Sequence, residues 1–475
     1  DDNISMKKII VFLFLGVGCL GYAQQITLKK GIPIDSITVR DSIPESFSLY
    51  LPTSFEMDKN WPILLIFDME GRGKRAIRMF MESAEKEGYV LAASNNVHDS
   101  LTTSRNILTT GRMLNDIIKM LPIQKDRIYS SGFGSGARFA SVLPIFLKDI
   151  SGVISCGAGY PNIELLDTNN LFHFIGIVGK EDFAYPEMLI SKSVLGRLKF
   201  PSQLLVFKGG HEWPNTDYLE KALEIFTLSA MAKGLKEKDE AYVNDTYTKN
   251  LREINLLISS GKLIEADNLL DEVMSVYRVL KDTDSLKKIK RELKKDKLFK
   301  TMTRNENATL LKESFIKEDY VYYLEEDLAT YNYNNLGWWI YQMGELKKYD
   351  NSKIEAEKEM GKRLLGYVNA LIEDNMDIVN SGSEVDQEVL SLLWMLKTIT
   401  DPSDYDYYLK IIANSARMDD YGTSLFYLEE LLKQGYTNKA ELYSLENTAL
   451  LRITPEFNEI VAKYLKDARY EIIEE

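Results

Sequence analysis

Six short, almost unbroken apolar runs in the first half of the chain constrain its fold more than any other feature. They are residues 63–67 (ILLIF), 90–93 (VLAA), 128–129 (IY), 152–155 (GVIS), 174–178 (FIGIV) and 204–207 (LLVF). Segments with helical spacing separate them, at 74–87, 106–121, 136–148, 187–198 and 215–233. A strand that is apolar at every position has no face for water. This pattern therefore predicts an α/β fold: a mostly parallel sheet covered by helices on both faces. Two alternating segments, 26–30 and 46–51, predict antiparallel strands at the sheet edge. In such a sheet the loops leaving the carboxyl ends of the strands carry the chemistry.

Beyond residue 235 the strand signal stops. The polar stretch 236–240 (KEKDE) reads as a linker, and helical spacing then runs through 242–259, 263–280, 284–300, 306–317 and on to 471. The small-residue turn and Ala–Leu spacing of 260–273 (SGKLIEADNLLDEV) belong to paired-helix repeats. The last stretch resembles the final unit of a tetratricopeptide-type array, with Leu425, Tyr427, Leu428, Leu431 and Leu432 along one helix and Pro455 opening another. The expected organisation is a 1–23 leader, a domain over 26–233 and an all-α, tetratricopeptide-like helical-repeat domain over 234–475. Two features of the helical part invite a surface role. The basic stretch 286–300 is read as a helix with a lysine face, because Leu286, Ile289, Leu293 and Leu298 recur at helical spacing. The cluster of Tyr320, Tyr322, Tyr323, Tyr331, Tyr333, Trp338, Trp339 and Tyr341 suits core packing between helices, or a stacking platform for a sugar or a protein partner.

The chain has 475 residues and a net charge of −13. A phosphate backbone requires a basic face, so nucleic acid is not an expected partner. Met6, Lys7 and Lys8 precede an apolar run at 9–15 and the Gly21-Tyr22-Ala23 triplet. A short basic region, a short apolar core and a small-x-small site predict an export signal cut before Gln24, with residues 1–5 upstream of it. The run is too short for a membrane span, so none is expected in the mature chain. Cys19 follows Gly16-Val17-Gly18, a poor lipidation site. The expected location is therefore the periplasm, the outer-membrane surface or the medium. Cleavage would leave Cys156 as the one cysteine, which excludes an intramolecular disulfide and a cysteine-based zinc site.

The chemistry-bearing stretch is 126–140 (DRIYSSGFGSGARFA). A strand that turns sharply into a helix can present a nucleophilic serine in the pattern Gly-x-Ser-x-Gly, where the flanking glycines relieve crowding. Gly132 and Gly136 hold the flanks, and the central residue is Gly134. Downstream, 175–188 (IGIVGKEDFAYPEM) is a strand and loop bearing Asp182, and 204–214 (LLVFKGGHEWP) a strand and loop bearing His211. Nucleophile position, acid and base thus follow in that order. Of the other histidines, His173 falls in a predicted strand and His98 in a polar loop. Asp68, Glu70, His98 and His211 lack any ligand spacing such as His-x-x-x-His, so no metal or cofactor is expected. Glu181 beside Asp182 reads as a solvated neighbour.

These motifs resemble, over residues 45–230, the secreted bacterial esterases of the α/β-hydrolase superfamily akin to polyhydroxybutyrate depolymerase and feruloyl-esterase-like proteins. In a related group of Bacteroidetes-type proteins an early strand ends in Phe-Asp-x-x-Gly-x-Gly, matched here by residues 67–73, and the elbow reads Gly-Phe-Ser-Gly-Gly-Ala-Arg. The resemblance implies Asp182 as orienting acid and His211 as base. It also implies the N–H groups of Ser135 and of the Asp68–Met69 turn as oxyanion donors, and it places the nucleophile on Gly134, which has no side chain. Two readings follow. In one the chain is a catalytically degenerate esterase that acts as a binding or scaffold protein, through its pocket for a small ester or carbohydrate-linked ligand and through its helical repeats for a protein partner. In the other it is an active serine esterase in which Ser135 acts with His211 and Asp182. Against the second, Ser135 would be flanked by Phe133 and Ala137, and a misplacement of about 1 Å can cost on the order of a hundredfold in rate.

Overall fold

The structure is a computed structural model that describes residues 28–470. The leader with Lys7, Lys8, Cys19 and its cleavage site, and the start of the strand expected at 26–30, lie outside the described residues. The chain forms two compact units that divide between Gln124 and Lys125.

In the first unit, β1 (Ile34–Thr38), β2 (Ser46–Tyr50), β3 (Trp61–Phe67) and β4 (Val90–Ser94) accompany α1 (Gly73–Glu87) and α2 (Thr103–Met120). β1 pairs antiparallel with β2, β2 antiparallel with β4, and β3 parallel with β4. The outer strand is a correction to the expected 26–30: residues 28–30 are not extended ladder, and Gly31 turns there at φ +76°. Its N–H is bonded to the Leu51 carbonyl at 2.7 Å. Pairing therefore starts after Pro33, where Ile37 reaches the core. β3 and β4 are buried at nearly every position, as their unbroken apolar runs require. α1 packs the stripe Ala76, Ile77, Phe80 and Ala84 inward and stops at Gly88, φ +74°. The Thr102 hydroxyl caps α2.

β5 (Ile123–Phe133), whose first two residues close the first unit, leads the second, where β5, β6 (Ile150–Cys156), β7 (His173–Gly179) and β8 (Ser202–Phe207) are successive parallel neighbours, with α3 (Ser135–Phe146), α4 (Tyr185–Arg197) and α5 (Thr216–Ala232) between and after them. β5 is far longer than its Ile128-Tyr129 signal. Gln124, Lys125 and Asp126 in its first half, and the buried Ser130 and Ser131 in its second, conceal it from hydropathy. Both faces are covered. Tyr129, Gly152 and His173 lie in register, and Phe226 of α5 stacks on Tyr129 at 4.1 Å and edge-on to His173. Gly176, three residues after His173, points to the other face. There a Cβ would come within 2.6 Å of Met188 Sδ from α4. His173 is buried with Nε2 against the Gln203 side chain, and burial lowers its pKa to about 4, so it stays neutral.

The rest of the unit is helical: α6 (Glu240–Ser259), α7 (Leu263–Tyr277), α8 (Asp284–Lys295), α9 (Lys297–Thr330), α10 (Leu336–Lys348), α11 (Glu355–Asn380), α12 (Gln387–Thr400), α13 (Tyr405–Arg417), α14 (Tyr421–Lys433), the single turns α15 (Lys439–Leu442) and α16 (Ala449–Arg452), and α17 (Pro455–Leu465). The helix expected over 284–300 is broken at Asp296, which takes an extended ψ of 134°. Its carboxylate accepts the N–H groups of Leu298 and Phe299 and starts α9. Leu286 and Leu293 are buried, whereas Leu298 is exposed beyond the break. The expected 306–317 segment is the middle of the 34-residue α9. The aromatic cluster divides. Trp339 and Tyr320 are core, Trp339 donating its indole N–H to Asp327 at 2.8 Å, while Tyr322, Tyr331 and Tyr341 are exposed. Tyr427, Leu428, Leu431 and Leu432 are buried along α14 and Pro455 opens α17. No helix among the described residues is long and apolar enough to cross a membrane.

α7 packs on β8 and buries Glu272 beside Lys192 at 3.2 Å. Burial raises the Glu272 carboxyl from 4.5 to about 7. Between those values the folded chain holds a proton that the unfolded chain has lost, so this group makes stability fall as pH rises across that window. Urea unfolding between pH 5 and 7.5 should show this decline, and Glu272→Gln should flatten it by on the order of 2–3 kcal/mol.

Candidate active site

β5 ends in Phe133, and the backbone turns through Gly134 at φ +55°, ψ −119° into α3. L-residues adopt that conformation only under strain. The Gly134 N–H is anchored to the Cys156 carbonyl at 3.0 Å. The turn brings strand and helix into backbone contact: a Cβ on Gly132 would lie 2.3 Å from the Gly136 carbonyl carbon and 2.7 Å from the Ala137 nitrogen. Glycine at 132 is therefore a steric requirement of this elbow. At Gly134 itself there is room, and a Cβ there would meet only His211 Nε2, at 3.8 Å. Gly134 thus lies beside the imidazole, and Ser135 follows it as the exposed first residue of α3.

Asp182 and His211, 29 residues apart, are brought together. The loop after β7 and the loop after β8 are joined by backbone bonds, from Lys180 N–H to the Phe207 carbonyl and from Glu181 N–H to the Gly209 carbonyl. Gly179 has no space for a side chain, since a Cβ would lie 2.3 Å from the Gly209 oxygen. Asp182 is fully buried and accepts the Ala184 N–H at 2.8 Å. Both its carboxylate oxygens lie 3.0 Å from His211 Nδ1. An ionised carboxylate only accepts, so Nδ1 carries the proton and Nε2 offers its lone pair toward Gly134. The imidazole is held between Phe133 and Phe183, at centroid distances of 4.6 and 4.3 Å, with Trp213 against Phe133. These three aromatics lie inside the motifs already quoted, yet no residue-type rule marks them as walls of the site.

The helical segment contributes contacts that no motif announces. Arg363 of α11 donates to the Lys180 carbonyl at 2.8 Å and lies over the Tyr185 ring, while pairing with Glu313 of α9 at 2.8 Å. Lys317 of α9 donates to the Phe183 carbonyl at 3.2 Å, and Lys362 pairs with Glu181 at 2.8 Å. Glu181 is thus tied to a lysine and forms no carboxyl pair with Asp182. Behind this loop, a cavity of about 590 Å³ is lined by Lys180, Tyr185, Leu204, Leu269, Met302 and Glu359 among others. It borders the acid loop, but neither Asp182 nor His211 lines it.

In the first unit, the Asp68 side chain accepts the Glu70 N–H at 3.0 Å and pairs with Arg72, which also holds Glu70. Met69 is buried and its carbonyl accepts the Asp99 N–H at 2.8 Å. His98 Nδ1 accepts the Ser100 N–H at 3.0 Å. Asp68, Glu70 and His98 thus have local partners in this loop. Cys156 is buried, and burial pushes its thiol far up, which makes it unreactive.

Parallel strands alternating with helices, a sharp glycine-flanked elbow after β5 and an acid–base pair on the loops after β7 and β8 define an α/β-hydrolase scaffold. No family model matches the sequence, and no curated protein matches it. Solved structures similar to it include a hyperthermophilic esterase from the archaeon Pyrobaculum calidifontis, 12% identical over 42% of this chain and 87% of that one, TM-score 0.36. An S-formylglutathione hydrolase from Staphylococcus aureus is 14% identical over 42% and 99%, TM-score 0.35. The feruloyl esterase module from Clostridium thermocellum is 14% identical over 40% and 86%, TM-score 0.34.

Two substitutions test how the site is held. Gly132→Ala should lower stability by roughly 1–3 kcal/mol, because the backbone of Gly136 cannot yield as a side chain would; chemical denaturation measures it. Arg363→Gln should cost about 3–5 kcal/mol by leaving Glu313 buried opposite Lys317 alone. The double change Arg363→Leu with Glu313→Leu should recover most of that loss.

Proposed function

We propose that the chain is an exported, esterase-like α/β-hydrolase protein that receives an ester- or acyl-bearing ligand, including a carbohydrate-linked one, at the His211–Asp182 pair without forming an acyl-enzyme. The observation that carries this reading is the elbow: the strained residue facing His211 Nε2 is Gly134. With no side-chain atom there, the covalent half of serine-hydrolase chemistry has no nucleophile at the place the base addresses. Ser135 enters as a backbone donor to the ligand carbonyl, by the resemblance of its elbow to oxyanion-forming turns. The basic and apolar pattern of residues 6–23 supports export to the periplasm, the outer-membrane surface or the medium. The tetratricopeptide-like helices, with Tyr322 and Tyr341 exposed, support recruitment of a protein partner.

A fluorophosphonate probe tests the covalent step directly. The unmodified protein should not be labelled, whereas Gly134→Ser, which restores a hydroxyl opposite His211, should be. Labelling of the unmodified chain that disappears in Ser135→Ala would overturn this reading in favour of Ser135 as nucleophile.

A further inference from the structure

The imidazole of His211 is oriented as a base, yet the residue it faces has nothing to deprotonate. Its Nδ1–H is fixed by the buried Asp182 carboxylate at 3.0 Å, and its ring is wedged between Phe133 and Phe183. Nε2 therefore faces the side of the ring where Gly134 lies. About a third of the His211 side chain is open to solvent. A Cβ at residue 134 would lie 3.8 Å from Nε2 with no other non-neighbouring atom within 4 Å. That room lies where a serine hydroxyl would stand, and a water oxygen needs only about 2.6–3.2 Å from Nε2 to share a proton with it. The N-terminal end of α3, which begins at the next residue, adds a positive potential on that side.

We propose that the His211–Asp182 pair activates a water in the space left by Gly134, and that the protein hydrolyses activated esters in one direct displacement. The proposal rests on the reading that no acyl-enzyme forms. As the water oxygen bonds to the ester carbonyl carbon, one of its protons passes to Nε2, and the carbonyl electron pair moves onto oxygen. Asp182 stabilises the imidazolium formed. Re-formation of the carbonyl breaks the bond to the leaving oxygen, which takes the proton from Nε2. The products are the carboxylic acid and the alcohol, and the pair returns to its starting state. Buried Asp182 thereby has a role beyond holding two loops together.

The experiment follows p-nitrophenyl acetate hydrolysis by the full chain. The expected result is turnover without an initial burst, at a rate unchanged by prior treatment with a fluorophosphonate. General-base help is worth on the order of 10²–10⁴-fold. His211→Gln should therefore lose at least about 10²-fold, and so should Gly134→Ala, whose methyl group occupies the space in front of Nε2. Gly134→Ser, acquiring a burst and sensitivity to the fluorophosphonate, shows that a side chain is tolerated there and that the loss in Gly134→Ala is not unfolding. A rate equal to that of His211→Gln, with no labelling of the unmodified chain, would overturn direct hydrolysis and leave the non-covalent reading standing. A rate abolished by the fluorophosphonate would overturn both.

Discussion

A single guanidinium ties the helical segment to the loop on which the site depends. Arg363 is almost wholly buried, and its charge is shared among the Glu313 carboxylate, the Lys180 carbonyl and the Tyr185 ring. An arginine suits this place because its planar fork donates in several directions at once. Two residues after Lys180 comes Asp182, so the contact that seats α11 also fixes where the acid of the pair begins. Lys317 and Lys362 secure the same loop at Phe183 and Glu181. A buried ion pair of this kind contributes little net stability, but it excludes other arrangements of the loop.

The elbow shows which of its positions the backbone geometry constrains. Residue 132 must be glycine because a Cβ there would meet the backbone of Gly136 and Ala137. The strained turn remains because β5 must still run into α3. Neither requirement concerns the residue at the apex. A glycine there lowers the strain of a φ of +55°. The pairing of acid and base also serves burial, since Asp182 without the His211 proton would keep only the Ala184 N–H as partner.

Much of this was legible from residue order. The runs at 63–67, 90–93, 152–155, 174–178 and 204–207 are strands because an uninterrupted apolar segment can only be buried on both faces. Asp182, His211 and Gly134 were identifiable because each follows a strand in the order that places it at one sheet edge. Other parts were hidden. β5 carries buried serines and a polar first half, so hydropathy reveals two of its eleven residues. β1 lies at 34–38, beyond a left-handed Gly31, and the described part of the expected segment, 28–30, is not strand. The break at Asp296 depends on a carboxylate capping two N–H groups, which periodicity does not register.

The sequence by itself determined the layered α/β half, the all-helical remainder and a glycine at the centre of the elbow. Those features are written in local periodicity and in one residue's missing side chain. Only the tertiary structure decided that Gly134 lies beside His211 Nε2 and that Phe133 and Phe183 pack against the ring. It alone decided that Arg363, 181 residues beyond Asp182 in the chain, secures the loop that bears it. Such contacts join segments that share no local pattern, and they exist because burial of a charge and of aromatic rings forces those segments to find one another.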